Sequence, residues 1–329
     1  MKVVYLKKHF KEIKDIAFIL SNEPVPKIND KECLIKVTTS AVNQSDALGT
    51  LGYFDGALLP RIPGRDFSGT VVKGPKGLIG KKVWGTGGAA GIFNNGTLAE
   101  FIKMPVKALS EIPDNLDLVA AGAQVLPYIT AYYSLIKRGR ILEGESVLVV
   151  GAMGQVGRAA MSICQWKNCY PIALVRGKKD VLKAEKMGWL AIDTTAGNIV
   201  QKIMDYNKGH YINVILNSIG NVLWQEFMGI LSKSGRIITF AAPKKYRDID
   251  INLFDLYRAN QEIIGVNTIF LDFNANAKLL NELKTRFEDK NLVPLSIDET
   301  SMYQVNEAHF AYQALLTGKT SSRILIKFC

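Results

Sequence analysis

Histidine is scarce in this chain. His9, His210 and His309 are the only three in 329 residues, and they lie far apart in sequence, so no pair at ligand spacing marks a metal centre. Cysteine is also sparse: Cys33, Cys164, Cys169 and Cys329 contain no CxxC pair, which argues against a disulfide framework and leaves free thiols as the expectation. No apolar run approaches the roughly 20 residues that a membrane-crossing helix needs. Lysines at positions 2, 7 and 8 break up any signal-like apolar block, so the expected location is the cytoplasm. There is no internal repeat and no low-complexity segment.

What is present is a hydrophobic content of 48%, enough for a large core and, at this length, for two domains. The formal charge is +11, from 41 Lys and Arg against 30 Asp and Glu. These cations are dispersed rather than massed in one run, which fits an anionic cofactor better than nucleic acid; a nucleic-acid partner is not expected.

The first 120 or so residues read as short strands separated by Gly and Pro: Glu32–Val37, Gly69–Val72, Lys82–Gly85 and Ala99–Ile102. Past Pro127 the texture changes to apolar β-runs alternating with helix-length segments, the pattern of a parallel sheet wrapped by helices. Six strands are expected there, at Ser146–Val150, Tyr170–Val175, Leu190–Ile192, Val214–Asn217, Arg236–Phe240 and Glu262–Val266. Six strands complete a doubly wound dinucleotide fold. Helical stretches at Ala275–Phe287 and Val305–Leu316 and a last strand within Ser322–Phe328 are therefore expected to return to the first domain.

Directly after Val147–Val150 comes Gly151-Ala152-Met153-Gly154-Gln155-Val156-Gly157, followed by an apolar helical pattern. Strand, glycine turn and helix in that order form a dinucleotide signal, here as A-x-G-x-x-G with Ala152 at the first position. Small residues let backbone amides approach a pyrophosphate, and the helix N-terminus adds partial positive charge. The bland alternative is an ordinary strand-to-helix turn. An NAD site normally carries an acid at the tip of the second strand, but this tip is Val175-Arg176-Gly177-Lys178-Lys179, with no acid before Asp180. Arg176 and Lys179 would draw a 2′-phosphate, which favours NADPH, unless the loop is simply a solvated basic turn.

Val42-Asn43-Gln44-Ser45-Asp46, Pro63–Gly69, Gly96–Phe101, Thr130-Ala131-Tyr132 and the Gly151–Gly157 turn occur in an order that resembles, essentially end to end, the zinc-independent quinone oxidoreductase branch of the medium-chain dehydrogenase/reductase superfamily. The resemblance implies an α/β protein: a GroES-like, mostly β catalytic domain (1–123, with 267–329 returning to it) and a Rossmann NADP-binding domain (124–266). It implies an active site in the cleft between them and a homodimer. Alcohol dehydrogenases of the same superfamily hold a catalytic zinc with a Cys at the position matching Asn43 and a His-Glu pair where this chain has Arg65-Asp66, so no metal is expected.

Similar enzymes place an Asn near the nicotinamide ring, which makes Asn43 the first catalytic candidate; its other reading is a loop cap. Tyr53 matches a Gly-x-Tyr region that supplies a donor to a carbonyl in related enoyl reductases, and packing is the equal alternative. Asp46 reads as a helix cap and Arg65 as an ion-pair partner of Asp66 or another acid. Thr130 resembles the family's nicotinamide-side threonine. Asn217, Ser218, Phe240 and Ala241 end strands at the carboxyl edge where a dinucleotide is expected, and Cys164 and Cys169 read as packing. The expected activity is NADPH-dependent reduction of a quinone or activated enone. The alternatives are a 2-enal or 2-enoyl-thioester reductase and, from another class, a non-catalytic nucleotide-responsive binding protein.

Overall fold

The computed structural model describes residues 1–318 and 322–328, so Cys329, with the thiol expected there, lies outside the described residues. The chain forms two compact units: Met1–Ile129 with Thr268–Cys329, and Thr130–Asn267.

In the first unit, β1 (Lys2–Tyr5) and β2 (Ile19–Asn22) pair antiparallel. The organising strand is β3 (Glu32–Ala41), ten residues carrying Cys33, Leu34, Ile35 and Val37. It is long, buried on most of its length, and bonded antiparallel to both β4 (Asp66–Lys73) and β6 (Phe101–Pro105). Between β3 and β4 the chain forms the short helix α1 (Gln44–Thr50). The strands β5 (Lys82–Thr86) and β7 (Ser110–Glu111) extend the sheet from β4. Its core is a contiguous apolar cluster that includes Val3, Ile35, Val37, Phe67, Val83, Ile102 and Ile326.

Helix α2 (Leu118–Tyr132) runs through Pro127 and continues as a π-helical segment over Tyr133–Arg138. The division between the units falls inside α2, after Ile129.

The second unit is a parallel sheet. Its strands are β8 (Ser146–Val150), β9 (Tyr170–Val175), β10 (Leu190–Asp193), β11 (Ile212–Asn217), β12 (Leu231–Thr239) and β13 (Glu262–Gly265). They lie in the order β10-β9-β8-β11-β12-β13. The connecting helices are α3 (Gln155–Trp166), α4 (Lys178–Lys186), α5 (Ile199–Tyr206), α6 (Trp224–Ile230) and α7 (Leu253–Arg258). Strand order reverses between β8 and β11, and in such sheets the carboxyl ends at the reversal form the ligand crevice. The strands bury apolar residues on both faces, because helices cover both sides of a parallel sheet. β12 begins at Leu231, five residues before the expected start; its early residues Ser234, with φ of 56°, and Gly235 read as a turn and hide the strand.

The chain then re-enters the first unit through α8 (Phe273–Glu288), whose first turn is capped by Asp272 accepting from the Ala275 N–H at 2.7 Å. β14 (Ile297–Gln304), α9 (Ala308–Leu316) and β15 (Arg323–Lys327) follow. β15 pairs antiparallel with β3, Leu325 opposite Ala41, so the last strand does lie in the first unit's sheet. Together these units form a Rossmann-type doubly wound sheet and a GroES-like β domain.

Candidate functional site

In the second unit the glycine turn is shaped by close backbone contacts at Gly151 and Gly157. Gly151 has φ of 76°, a left-handed conformation that glycine adopts without strain. A Cβ on Gly157 would stand 2.4 Å from the Gly151 carbonyl oxygen and 2.7 Å from the Ala152 Cα, so only glycine lets α3 start this close to the strand end. Gly154 caps α3 in an extended conformation, and a Cβ there would meet only the Gly151 oxygen, at 3.2 Å. Met153, Gln155 and Val156 complete the turn into α3, whose free N–H groups and dipole favour an anion. The turn is tied to the neighbouring strand, because Gly151 and Ala152 both donate to the Leu174 carbonyl, at 3.0 and 3.1 Å.

Two residues beyond Leu174 is Arg176, exposed at the end of β9, followed by Gly177 with φ of 85° and by exposed Lys178 and Lys179 at the start of α4. Asp193 closes this loop. Its Oδ1 accepts from the Gly177 N–H, the Thr195 N–H and the Thr195 hydroxyl, each at 2.8 Å. The Thr195 contacts, and then the Gly177 amide, lower the Asp193 pKa. Ser218 donates to the Val150 carbonyl at 2.7 Å and Asn217 to the Gly220 carbonyl at 2.8 Å, placing both at the carboxyl edge beside the glycine turn. Phe240 donates from its backbone to the Asn217 carbonyl, Ala241 follows it, exposed, and Thr130 is buried in α2. Small residues at the turn, a helix start and a cationic strand tip thus gather on one sheet edge, and these residues fit a dinucleotide.

The first unit holds a buried charge cluster. Asn43 precedes α1 and its backbone N–H donates to Asp46 Oδ2 at 2.9 Å, a capping contact. The Asn43 amide nitrogen donates to Asp46 Oδ2 and to Asp66 Oδ2, each at 3.0 Å, while its oxygen accepts from Arg323 at 3.0 Å. Both amide protons are therefore committed to carboxylates, and the arrangement leaves no Asn43 N–H to offer a bound ring. Asp66 is ion-paired with Arg323 at 3.2 Å, and Arg323 also donates to the carbonyls of Ala123 and Val42. Arg65, expected to pair with Asp66 or another acid, instead donates to the Gly87 carbonyl and to the hydroxyls of Ser45 and Thr268. Its charge still acts at a distance on Asp46 and Asp66, but the direct contact of Asp66 belongs to Arg323.

Burial dominates this cluster. It pushes the Asp46 pKa up to about 7, against the opposing pull of Arg65, with the Asp66 charge pushing further upward. Asp66 is also raised by burial, with Arg323 as the largest opposing influence. Asp46 Oδ1 and Asp66 Oδ1 are buried without a hydrogen-bond partner.

Tyr53 follows α1. It is half-buried, its N–H donates to the Leu48 carbonyl at 3.3 Å, and its ring meets Phe54 edge-on at 5.3 Å. Arg61, which the sequence did not single out, fixes this segment. It is 1% exposed and donates to the carbonyls of Gly49, Leu58 and Gly91, so it binds α1, the Tyr53 loop and a third loop together. In the second unit, Cys164 and Cys169 are buried, and burial raises both thiols, Cys169 to about 11, which suits packing rather than reactivity. Among the described residues, no group of three or more His, Cys, Asp or Glu side chains is placed to hold a metal ion. No helix among them is long and apolar enough to cross a membrane.

A doubly wound sheet with a dinucleotide turn, joined in one chain to a GroES-like β domain, defines the medium-chain dehydrogenase/reductase class of oxidoreductases, and the chain belongs to that superfamily. The family model described as alcohol dehydrogenase GroES-like domain matches residues 29–114, and the one described as zinc-binding dehydrogenase matches residues 156–284. A zinc-type alcohol dehydrogenase-like protein of Schizosaccharomyces pombe is 30% identical over 312 residues, covering 93% of this chain and 91% of its own. The quinone oxidoreductase of Homo sapiens is 28% identical over 297 residues, covering 87% and 86%. The quinone oxidoreductase of Escherichia coli, solved in complex with NADPH, shares the fold along the full length of both chains with a TM-score of 0.83 at 18% identity.

Proposed function

We propose that the chain is an NADPH-dependent, zinc-independent reductase that transfers hydride to a quinone or an activated α,β-unsaturated carbonyl. The observation that carries this reading is the edge shared by β8 and β9, where a glycine turn with no space for a Cβ at Gly157 is hydrogen-bonded to a strand that leads directly into Arg176, Gly177, Lys178 and Lys179. Amides of the turn and the start of α3 serve the pyrophosphate, and Arg176 with Lys179 serves the 2′-phosphate. Thr130, Asn217, Ser218, Phe240 and Ala241 border the rest of the coenzyme.

When bound, NADPH supplies the hydride, and negative charge then grows on an acceptor oxygen. Tyr53 is the donor for that oxygen, through its phenol. Asn43 positions its segment by holding Asp46, Asp66 and Arg323, rather than donating to the acceptor. Independence from zinc is supported by the chemistry at positions 43, 65 and 66. Those residues are an amide with both protons spent, a guanidinium and a carboxylate already paired with Arg323, and two buried guanidinium groups oppose a divalent cation.

The test is NADPH oxidation by the purified, chelator-treated protein against a small quinone, a 2-alkenal and a 2-enoyl thioester, with metal content measured alongside. Turnover of the quinone or the alkenal at full rate without zinc is expected. Tight NADPH binding with no turnover of any acceptor would instead leave a nucleotide-responsive binding protein.

A further inference from the structure

The segment that carries Arg176 is held from the neighbouring strand on both sides. β9 and β10 pair in parallel with Asp193 opposite Val175, so the chain leaves β10 beside the residue that precedes Arg176. The Val175 carbonyl accepts from the Thr194 N–H at 2.9 Å and from the Thr194 hydroxyl at 3.1 Å. On the other side of Arg176, the Gly177 N–H donates to Asp193 Oδ1 at 2.8 Å. The same oxygen accepts from the Thr195 N–H and hydroxyl, each at 2.8 Å, so the carboxylate is itself held in place. Gly177, with φ of 85°, is the residue of this segment with the widest choice of backbone conformations, and the Asp193 contact restricts it. Arg176 thus lies between two backbone anchors while its side chain stays exposed.

We infer that Asp193 is a positioning residue for coenzyme selectivity, which holds the Gly177 amide and so aims Arg176 at the ribose 2′-phosphate; the inference rests on the NADPH reading above. A guanidinium meets a phosphate through a planar fork whose direction matters, and a backbone already fixed on both sides loses less freedom when that contact forms. The charge of an acid at this strand end would by itself repel the phosphate, and the three donors converging on Oδ1 offset that charge. NADH has no 2′-phosphate for Arg176 to meet, so loss of the anchor should be felt by NADPH and not by NADH. A role confined to bracing the sheet edge would weaken both coenzymes alike.

The experiment is calorimetric titration of the wild type, Asp193→Ala and Asp193→Asn with NADPH, NADH and 2′,5′-ADP, with melting curves as a folding control. Asp193→Ala is expected to weaken NADPH and 2′,5′-ADP roughly tenfold, the scale of fixing one loosened backbone residue again on binding, with NADH held within about twofold. Asp193→Asn keeps an oxygen to accept from Gly177, so its NADPH affinity should stay within about twofold of the wild type. Asp193→Ser, whose oxygen is one bond short of the carboxylate's, carries the test if the Ala variant does not fold. Equal losses for NADPH and NADH would make Asp193 a brace for the fold alone and overturn the inference. A loss confined to NADH would make it a ribose ligand and overturn it too, as would unchanged or tighter NADPH binding by Asp193→Ala, or an Asn variant as impaired as the Ala one. A wild type that binds NADH as tightly as NADPH would instead defeat the NADPH reading itself, and this inference with it.

Discussion

Asn43 and Arg323, 280 residues apart in sequence, meet at 3.0 Å and close together on one oxygen of Asp66. The contact fastens the last strand, β15, to the turn that starts α1, and places a carboxylate of 0% exposure under a guanidinium of 3%. A buried carboxylate costs several kcal/mol to leave unpaired, so the pair fixes the geometry of this segment more than it adds net stability.

Arg323→Met is expected to destabilise the first unit by about 3–5 kcal/mol, because Asp66 stays buried without its cation. Hydrogen exchange of β3 and β15 measures it, and the second unit's strands should be unaffected. Adding Asp66→Asn should recover much of the loss. Failure of the double variant to recover would assign the effect to the carbonyl contacts of Arg323 instead.

The cluster also predicts a pH dependence. Asp46 goes from an ordinary 3.8 to about 7 when folded, so between those values the folded protein holds a proton that the unfolded chain has released. Stability is therefore expected to fall as pH rises through that window, with a slope of up to ~1.4 kcal/mol per pH unit from this group. Asp46→Asn keeps an acceptor for the Asn43 N–H and removes the titration, so its melting temperature should vary less between pH 4 and pH 7, values bounding that same window. A wild-type stability that climbs steadily across the window would count against a raised Asp46.

The sequence made the glycine-turn edge of the second unit legible and concealed the buried cluster of the first. β8, the glycine turn and β9 are neighbours along the chain, and their signals are local: an apolar run, then small residues, then a helix with one apolar face. The return of β15 followed from strand counting, since six strands already complete the doubly wound sheet. The Asn43–Asp66–Arg323 cluster has no such signature, because Asn43 and Asp66 are 23 residues apart and Arg323 is at the far end of the chain. Arg61 was hidden for another reason. An isolated arginine reads as surface, and only the fold reveals three carbonyls converging on it.

Two glycines of the same turn should respond differently to a single methyl. Gly157→Ala drives a Cβ into backbone at 2.4 and 2.7 Å, and neither partner can give way without moving the turn; a loss of about 1–3 kcal/mol in the second unit is expected. Gly154→Ala meets only one oxygen, at 3.2 Å, at a backbone geometry open to alanine, so the fold should tolerate it. Its methyl nevertheless sits at the start of α3, where the coenzyme phosphates are proposed to rest. Weaker NADPH binding with an unchanged melting temperature is the expected signature, measured by titration and calorimetry. Undiminished affinity in Gly154→Ala would move the phosphates away from this helix start.

Tyr53→Phe separates the two acceptor classes. The substitution keeps the ring that meets Phe54 edge-on and removes only the hydroxyl, and melting curves control for any loss of stability. Hydride addition to an enone leaves an enolate whose charge lies mostly on one oxygen, and a positioned phenol is worth roughly a hundredfold in rate for such a group. Reduction of a quinone creates an aromatic hydroquinone, whose ring stabilises the oxyanion and lessens the need for a donor. Enone turnover is therefore expected to fall by around two orders of magnitude while quinone turnover stays within about threefold, a split set by the size of one general-acid contribution. Equal losses with both acceptors would mean that Tyr53 shapes the segment between α1 and Arg61 rather than donating a proton to the acceptor.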